Sequence, residues 1–407
     1  MSASILSNKN YSQTVIEQAV KVCKQVENRH AKWIVNHKYL LDQNEIDPLL
    51  SQQGTSCDTN VDEKGRIADN QRILLACEQM RVNERQFTAD IKQARHSKIL
   101  AQTLKMAIVA LENRCNHPDM LRVLNVHTGF ADFASFAYGP NLTFQKLGSL
   151  TSAHNSFAMN ILELVNNPRF CKQTQKKPSN ISDAKTAIGF IGIENCRMLS
   201  PLLMAKPLLN LTDKNTKLIA AKMWQHSIIM ANVTRMRLQH IGYKEPDEGV
   251  LLGVLRGLGQ FAICNHFTHA FEDALVSVMQ TFREKEQMDD YFACADIRPS
   301  LSFLPAVIEA WEKPITKRII EHMDWSANVL HLKTALEEDL NNVPVHTRSK
   351  HGAALGQART YAIFDTMARS NAFLNDDTGY WFANMRMDSD MIKMAKMSQP
   401  GKFTLAT

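Results

Sequence analysis

The stretch Gly253-Val254-Leu255-Arg256-Gly257-Leu258-Gly259 lies about one helix downstream of Trp224-Gln225-His226-Ser227. Its three glycines do not follow a predicted strand, so they are not the phosphate-binding turn of a dinucleotide fold. Small residues at this spacing favour two helices that pack closely against each other. Arg256 is always charged and needs a carboxylate partner if it is buried, and Asp247 or Glu248 is the predicted partner. Alternatively, Arg256 faces a pocket and binds an anion such as a phosphate or a cyclic nucleotide.

The composition of the 407-residue chain predicts a helical globular protein. Apolar residues make up 44%, aromatic residues are few at 7%, and glycine (16) and proline (13) are scarce, which favours helices over β-sandwiches or barrels. No long run of alternating β-branched residues interrupts this pattern. The chain is too long for one small core, and its length predicts two to three domains.

The charge pattern does not favour a nucleic-acid-binding protein. The net charge is +6, and the basic residues are scattered rather than arranged in a stripe. The densest run, 172–177, is short and predicts a solvated loop. Nucleic-acid binding therefore remains a less favoured alternative, and it would predict an affinity that falls steeply with salt.

The cysteines and the N-terminus predict a soluble, cytoplasmic protein. No two of the eight cysteines are closer than twenty residues, which indicates buried free thiols in a reducing compartment rather than disulfides or a zinc site. Residues 1–11 lack the apolar segment of a secretory signal. The most apolar window, 250–264, is short of the roughly 20 residues needed to cross a bilayer.

The first part of the chain predicts a hairpin of two long helices. Helices are expected over 12–44 and 66–111, joined by a polar loop at 51–65. Such a hairpin is typical of packing or dimerisation, so a homo-oligomer through it is one expectation. The residues predicted to face inward are Ile16, Val20, Cys23, Ile34 and Leu41 in the first helix and Ile73, Cys77, Met80, Phe87, Ile91, Ala94 and Ala101 in the second.

Three regions follow from the breaks in the pattern. Asn116-His117-Pro118 interrupts the helical periodicity and predicts a boundary after residue 115. Residues 116–330 contain consecutive helices with short turns, and 331–407 form a helical extension whose tail from Met385 is expected to be frayed. The predicted fold class is therefore all-α.

Five ordered segments carry a resemblance to a known family. Together they resemble an HDOD domain, a relative of the HD phosphohydrolases, and they cover about 115–325. Within them, Ser182 is a predicted helix cap and Gly192 supplies a turn conformation that other residues resist. The segments are Ile161 to Pro168, Ile181 to Ala184 with Ile188 to Asn195, Trp224 to Ser227, Gly253 to Gly259, and Trp311 to Pro314 followed by His322-Met323.

The resemblance implies a lost metal site. Metal-binding HD proteins have Gly-Leu-Leu-His-Asp-Ile-Gly where this chain has Arg256 and Gly257 in place of the His-Asp pair. Arginine offers no lone pair and glycine has no side chain, so neither residue holds a metal. His226 and His322 are the remnant positions. The resemblance therefore implies a non-catalytic signalling or regulatory protein, often bacterial, that acts through an unidentified protein partner and carries no cofactor.

The alternative is a divergent metal-dependent phosphohydrolase. His266 and His269 lie one helical turn apart and would join His226, with Asp296 as a late carboxylate, around a metal. Its substrate would be a phosphoester or a cyclic dinucleotide. The simpler interpretation makes His226 a core histidine that holds a backbone carbonyl. The sequence predicts no membrane association.

Overall fold

A computed structural model describes residues 12–35, 76–138, 142–175, 177, 180–209 and 214–402. In these residues every regular element is helical, so the predicted all-α fold is confirmed. The α-helices are α1 (Gln13–Val35), α2 (Ala76–Cys115), α3 (Met120–Val123), α4 (Phe130–Ala137), α5 (Phe144–Ala153), α6 (Asn155–Val165), α7 (Pro168–Gln173), α8 (Ala184–Ile191), α9 (Ile193–Ala205), α10 (Lys214–His240), α11 (Glu248–Arg256), α12 (Leu258–Glu284), α13 (Met288–Ala293), α14 (Leu304–Glu321), α15 (Leu330–Leu340), α16 (Lys350–Ala368), α17 (Thr378–Ala383) and α18 (Ser389–Met397). Single 3₁₀ turns lie at Lys206–Leu209, Cys294–Asp296, Leu301–Phe303, Ala327–Val329, Val345–Thr347 and Asn375–Asp377.

The described residues form two compact units, each assembled from separate segments. Unit 1 takes its described residues from the segments Met1–His37, Arg114–Asn265 and Leu301–Thr407, and unit 2 takes its described residues from Lys38–Asn113 and His266–Ser300. Unit 1 thus takes residues from both sides of the domain boundaries predicted after 115 and after 330. The boundaries themselves stay a prediction.

The centre of unit 1 is α10, which packs most extensively against α16 and α11. A side chain at Gly253 would collide with the backbone of Ala231 in α10, and one at Gly259 would collide with Thr316 in α14. The prediction that the glycines allow close helix packing is therefore confirmed. Because α11 lies directly on α10, the positions of its first residue, Glu248, and its last, Arg256, are fixed.

Helix α1 packs in unit 1 against α14 and α17. Its buried stripe runs through Ala19, Val22 and Val26 to Ile34, whereas Val20 is half exposed. The inward position predicted for Val20 is therefore wrong. Leu41 and the predicted loop at 51–65 lie outside the described residues, and the hairpin stays a prediction.

In unit 2, ion pairs hold the middle of α2, and the residues from 80 to 91 before it are exposed to solvent. Arg95 of α2 pairs with Asp289 (3.1 Å) and with Asp290 (3.2 Å) of α13. Met80, Phe87 and Ile91 are exposed by 67%, 68% and 47%, so their predicted burial is wrong. Ile73 lies outside the described residues, as does the side chain of Cys77.

Two local predictions are corrected and one is confirmed. Asp183, rather than Ser182, caps α8 by accepting a hydrogen bond from the backbone N–H of Thr186 (2.8 Å). Gly192 has φ of 87°, the left-handed conformation expected of it. The tail predicted to be frayed contains α18, and the Asn232 amide donates to the carbonyl of Pro400 (2.7 Å).

The predictions for the cysteines and for the long apolar stretch can be compared with the structure. The described cysteines are free and mostly buried, as predicted. In the described residues, the stretch Glu248–Glu284 has the length of a membrane-crossing helix, and an 18-residue window within it has a mean hydropathy of 1.2. However, 94% of that window is buried inside the protein. A core helix has the same properties, so this stretch is weak evidence for a membrane span.

Candidate functional site

Arg256 ends α11 inside unit 1, where its side chain is 1% exposed. Its Nε donates to Asp339 Oδ2 (2.6 Å), and its Nη1 donates to Glu312 Oε1. The predicted partners, Asp247 and Glu248, are wrong. Asp247 instead pairs with Arg235 (2.5 Å), and Glu248 contacts two histidines that are described below.

Asp339 is the shared acceptor of a buried network of arginines. Its other oxygen, Oδ1, accepts from Arg348 (2.8 Å). Burial alone would raise the pKa of Asp339, but Arg256 and Arg348 outweigh it and hold the pKa well below its usual range. Burial disfavours the charged form of Arg256, but Glu312 and Asp339 raise its pKa further, so the guanidinium stays cationic.

A small polar cavity of about 110 Å³ lies beside this network. Its wall includes Arg359, whose Nη1 donates to Glu27 Oε1 of α1 (2.8 Å). His30 and His226 line it as well, with ring centroids 4.6 Å apart. Arg256 is not part of this wall. Glu312 and Asp339 occupy the position beside the Arg256 guanidinium at which an external anion was predicted as the alternative partner.

His226, in α10, is buried and neutral. Burial is the main cause that lowers its pKa to about 3, and the nearby Arg359 and Arg256 lower it further. The ring hydrogen-bonds the backbone of Ala362, while its Nδ1 has no partner. This is the contact expected of a core histidine that holds a backbone carbonyl.

The other predicted site residues do not converge on Arg256. A side chain at Gly257 would meet Ser227 Oγ at 3.1 Å. His322 is exposed at the end of α14, where its Nδ1 lies 2.9 Å from the carbonyl of Arg318. Neither position offers a ligand to an ion held beside His226.

The HxxH pair and the late carboxylate lie in unit 2. His266 is buried, and His269 lies 3.7 Å from Glu272 on the same helix. Asp296 is exposed and pairs with Lys92 (3.0 Å). His226 belongs to unit 1, so the three histidines that were predicted to share a metal are divided between the two units.

A second cluster, which the sequence analysis missed, lies at the other end of α11. Glu248 Oε2 lies 3.0 Å from His331 Nε2 and 2.8 Å from His351 Nε2. Burial would raise the pKa of Glu248, but its hydrogen bonds to the two histidines lower it. The hydrogen bond from Glu248 raises the pKa of His331. Nothing in the sequence pairs these residues, because the two histidines are 83 and 103 positions from Glu248.

The two ends of α11 therefore differ in chemistry. At the Arg256 end, the carboxylates of Asp339 and Glu312 accept hydrogen bonds from Arg256, and the buried His226 lies beside His30 with its Nδ1 unpartnered. At the Glu248 end, one carboxylate oxygen and two imidazole nitrogens converge on one point.

Comparison with known proteins identifies the central region. The HDOD domain family model matches residues 128–298. The chain is similar to the crystal structure of an HDOD domain protein with unknown function from Geobacter sulfurreducens, with 13% identity and a TM-score of 0.39 over 66% of this chain and 86% of that one. It is also similar to a Shewanella amazonensis structure assigned as a metal-dependent phosphohydrolase, with 12% identity and a TM-score of 0.35 over 74% of this chain and 99% of that one. No curated protein matches the chain.

Proposed function

Because this chain is an HDOD domain protein, related to the HD phosphohydrolases, we propose that it is a non-catalytic regulatory protein that acts through protein contacts. The observation that carries the proposal is the environment of Arg256. This residue stands where the HD family has a metal-ligating histidine, and it is held there by Asp339 and Glu312.

The proposal is supported by the ion-pair network, since among the described residues no metal-ligand group forms around Arg256. A guanidinium has only donors, and Gly257 has no side chain, so the two central ligands of the HD site are missing. The carboxylates that approach most closely already accept from arginines. Removing the Arg256 cation from this buried network would leave its carboxylates without a partner, which is costly. This cost favours the arginine over a metal ion that exchanges with solvent at the same position.

His226 alone does not rebuild the site. Protein zinc sites use at least three side-chain ligands. His30 lies beside His226, but among the described residues no third histidine, cysteine or carboxylate joins them to form a group whose ligand atoms all lie within 4.8 Å of one another. The role of His226 is therefore packing and a backbone hydrogen bond.

An exposed face of α2 supports action through protein contacts. Met80, Phe87 and Ile91 are spaced by seven and four residues, so they lie on one side of the helix. Contiguous exposed apolar surface marks interaction sites in many proteins. The occupant that we favour is the same helix of a second copy, because the seven-residue spacing is that of paired helices.

The experiment is a turnover assay on the full-length protein. Phosphodiester and cyclic dinucleotide substrates are incubated with the protein and with Mg²⁺, Mn²⁺, Fe²⁺ or Zn²⁺ in turn. No hydrolysis above the protein-free rate is expected for the native chain or for His226→Gln. Metal-dependent hydrolysis that is abolished in His226→Gln would overturn the proposal and favour the divergent phosphohydrolase.

A further inference from the structure

Three helices of unit 1 begin at one point and each contributes a side chain there. Glu248 is the first residue of α11, His331 is the second of α15, and His351 is the second of α16. Their ligand atoms all lie within 4.8 Å of one another. Glu248 lies within residues 128–298, which the HDOD family model matches, whereas His331 and His351 lie in two helices after that region.

The donor set is that of a transition-metal site. Both imidazoles present Nε2 to the same carboxylate oxygen, at 3.0 Å and 2.8 Å. One carboxylate with two histidines is a ligand set that proteins use for zinc and for non-haem iron. Metal–ligand bonds are about 2.0–2.2 Å long in such sites, so two ligand atoms of a tetrahedral ion lie roughly 3.3–3.6 Å apart. Each imidazole Nε2 would therefore move only about half an ångström away from the carboxylate oxygen to make room for an ion.

The cluster is held in place by contacts outside it. A side chain at Gly249 would collide with the backbone of Arg235, so α11 cannot move away from α10 without losing this contact. The His331 ring also hydrogen-bonds the backbone of Asn328. Metal-ligating histidines usually donate their second ring N–H in this way, which fixes the ring orientation. The ring of Tyr243 packs edge-on against His351, with centroids 4.4 Å apart.

One of the three side chains in the cluster reaches solvent. The side chains of Glu248 and His351 are each 6% exposed, whereas that of His331 is 36% exposed. The His331 side is therefore open to an entering ion and to a water molecule as a further ligand. We propose that Glu248, His331 and His351 bind one divalent transition-metal ion.

This site is separate from the lost HD centre and does not depend on the proposed function. Arg256 lies eight residues farther along α11, which corresponds to about 12 Å of helix. An ion at Glu248 would tie α11 to the first turns of α15 and α16. It would not supply a ligand or a Lewis acid to His226.

The test is zinc binding by the full-length protein after removal of metal with a chelator. Zn²⁺ alone is titrated and measured by equilibrium dialysis, and Co²⁺ is added in a parallel sample to read the ligand field by visible absorption. We expect one ion per chain. His331→Gln should weaken binding on the order of 100-fold, because even outer-sphere partners contribute 10–100-fold.

Matched variants make the result decisive. His331 is partly exposed, so His331→Gln is expected to fold, and circular dichroism checks this. Glu248→Gln is a second ligand variant, and the exposed His240→Gln is a control expected to bind like the native chain. Binding retained by both ligand variants, or no zinc binding by the native chain, would overturn this site and leave the proposed function unaffected. Binding lost in His226→Gln would place the ion at the HD centre and overturn both.

Discussion

Burying an arginine takes a guanidinium out of water, and the cost is offset only when carboxylates accept its hydrogen bonds. Arg256 meets this condition through Asp339 and Glu312. Arg256→Met keeps much of the side-chain volume but leaves the two carboxylates without this cation. We expect the free energy of unfolding to fall by about 3–5 kcal/mol, measured by urea denaturation.

The control for Arg256 is another arginine in a carboxylate pair. Arg369 pairs with Asp365 (2.8 Å), but its side chain is 49% exposed. Exposed pairs contribute at most about 1 kcal/mol, so Arg369→Met should have a small effect. Equal losses in the two variants would contradict the structural importance assigned to the Arg256 network.

His226 gives the protein a pH-dependent stability. In the unfolded chain a histidine takes up a proton below about pH 6.5, whereas burial keeps the pKa of folded His226 at about 3. Burial, His226, Arg359 and Lys222 lower the pKa of its neighbour His30 as well. The unfolded state therefore binds more protons below pH 6.5, and stability falls as the pH decreases from there.

The measurement compares denaturation at pH 7.5 and pH 5.5. At pH 5.5, His226 should cost about 1.4 kcal/mol, because the pH is then one unit below the unfolded pKa. The loss of stability between the two pH values should be smaller by that amount in His226→Gln and unchanged in the exposed control His240→Gln. A loss in His226→Gln equal to the native one would contradict a neutral buried His226.

At the scale of the element, the packing of α11 on α10 is tested through its glycines. In Gly253→Ala the new methyl group would overlap the backbone of Ala231, which cannot rotate away as a side chain can. We expect a loss of about 1–3 kcal/mol in the free energy of unfolding. Gly189→Ala, in α8, is the control because nothing lies within 4 Å of its new methyl group. That variant should gain up to about 1 kcal/mol from helix propensity, and a loss in it similar to that of Gly253→Ala would contradict the packing argument.

The helices also show which features of the fold could be predicted from the sequence alone. The helices and the close packing at Gly253 were predictable because helical periodicity and the spacing of the glycines can both be read from residues that are neighbours in the chain, although the residue that Gly253 meets, Ala231, lies in another helix. The stripe of α1 was misplaced at Val20 because the buried face, which runs through Ala19, Val22 and Val26, is selected by packing against α14 and α17, and both helices lie far along the chain. In the tail, Asp388 caps α18 by accepting a hydrogen bond from the backbone N–H of Met391. The sequence analysis did not identify this cap, because Asp388 lies in a segment where Met, Asp and Lys alternate.

The partners of the charged residues were beyond the sequence. Glu312 and Asp339 lie 56 and 83 positions from Arg256, so only the folded helices bring them together. The nearest carboxylates in the chain, Asp247 and Glu248, were the natural prediction. They are wrong because both lie at the opposite end of α11 from Arg256. The same reason hid the histidines that meet Glu248.

At the scale of the whole molecule, the apolar face of α2 predicts self-association. Phe87 lies between Met80 and Ile91 on this face and is 68% exposed. Burying one phenylalanine contributes about 1.5–3 kcal/mol, and a symmetric dimer buries two. Phe87→Lys would replace this contribution with two like charges facing each other, so the dimer Kd should rise at least about 10-fold.

Sedimentation equilibrium on the full-length chain measures this Kd. Ala89 is also exposed, and two residues along a helix place it on the side away from Phe87, so Ala89→Lys adds the same charge outside the apolar face. Ala89→Lys should therefore associate like the native chain. A monomeric native chain, or equal effects of the two lysines, would show that a second copy does not occupy this face. Because the face consists of α2 alone, its loss should leave zinc binding at Glu248 unchanged, which separates the contact surface of the protein from its metal chemistry.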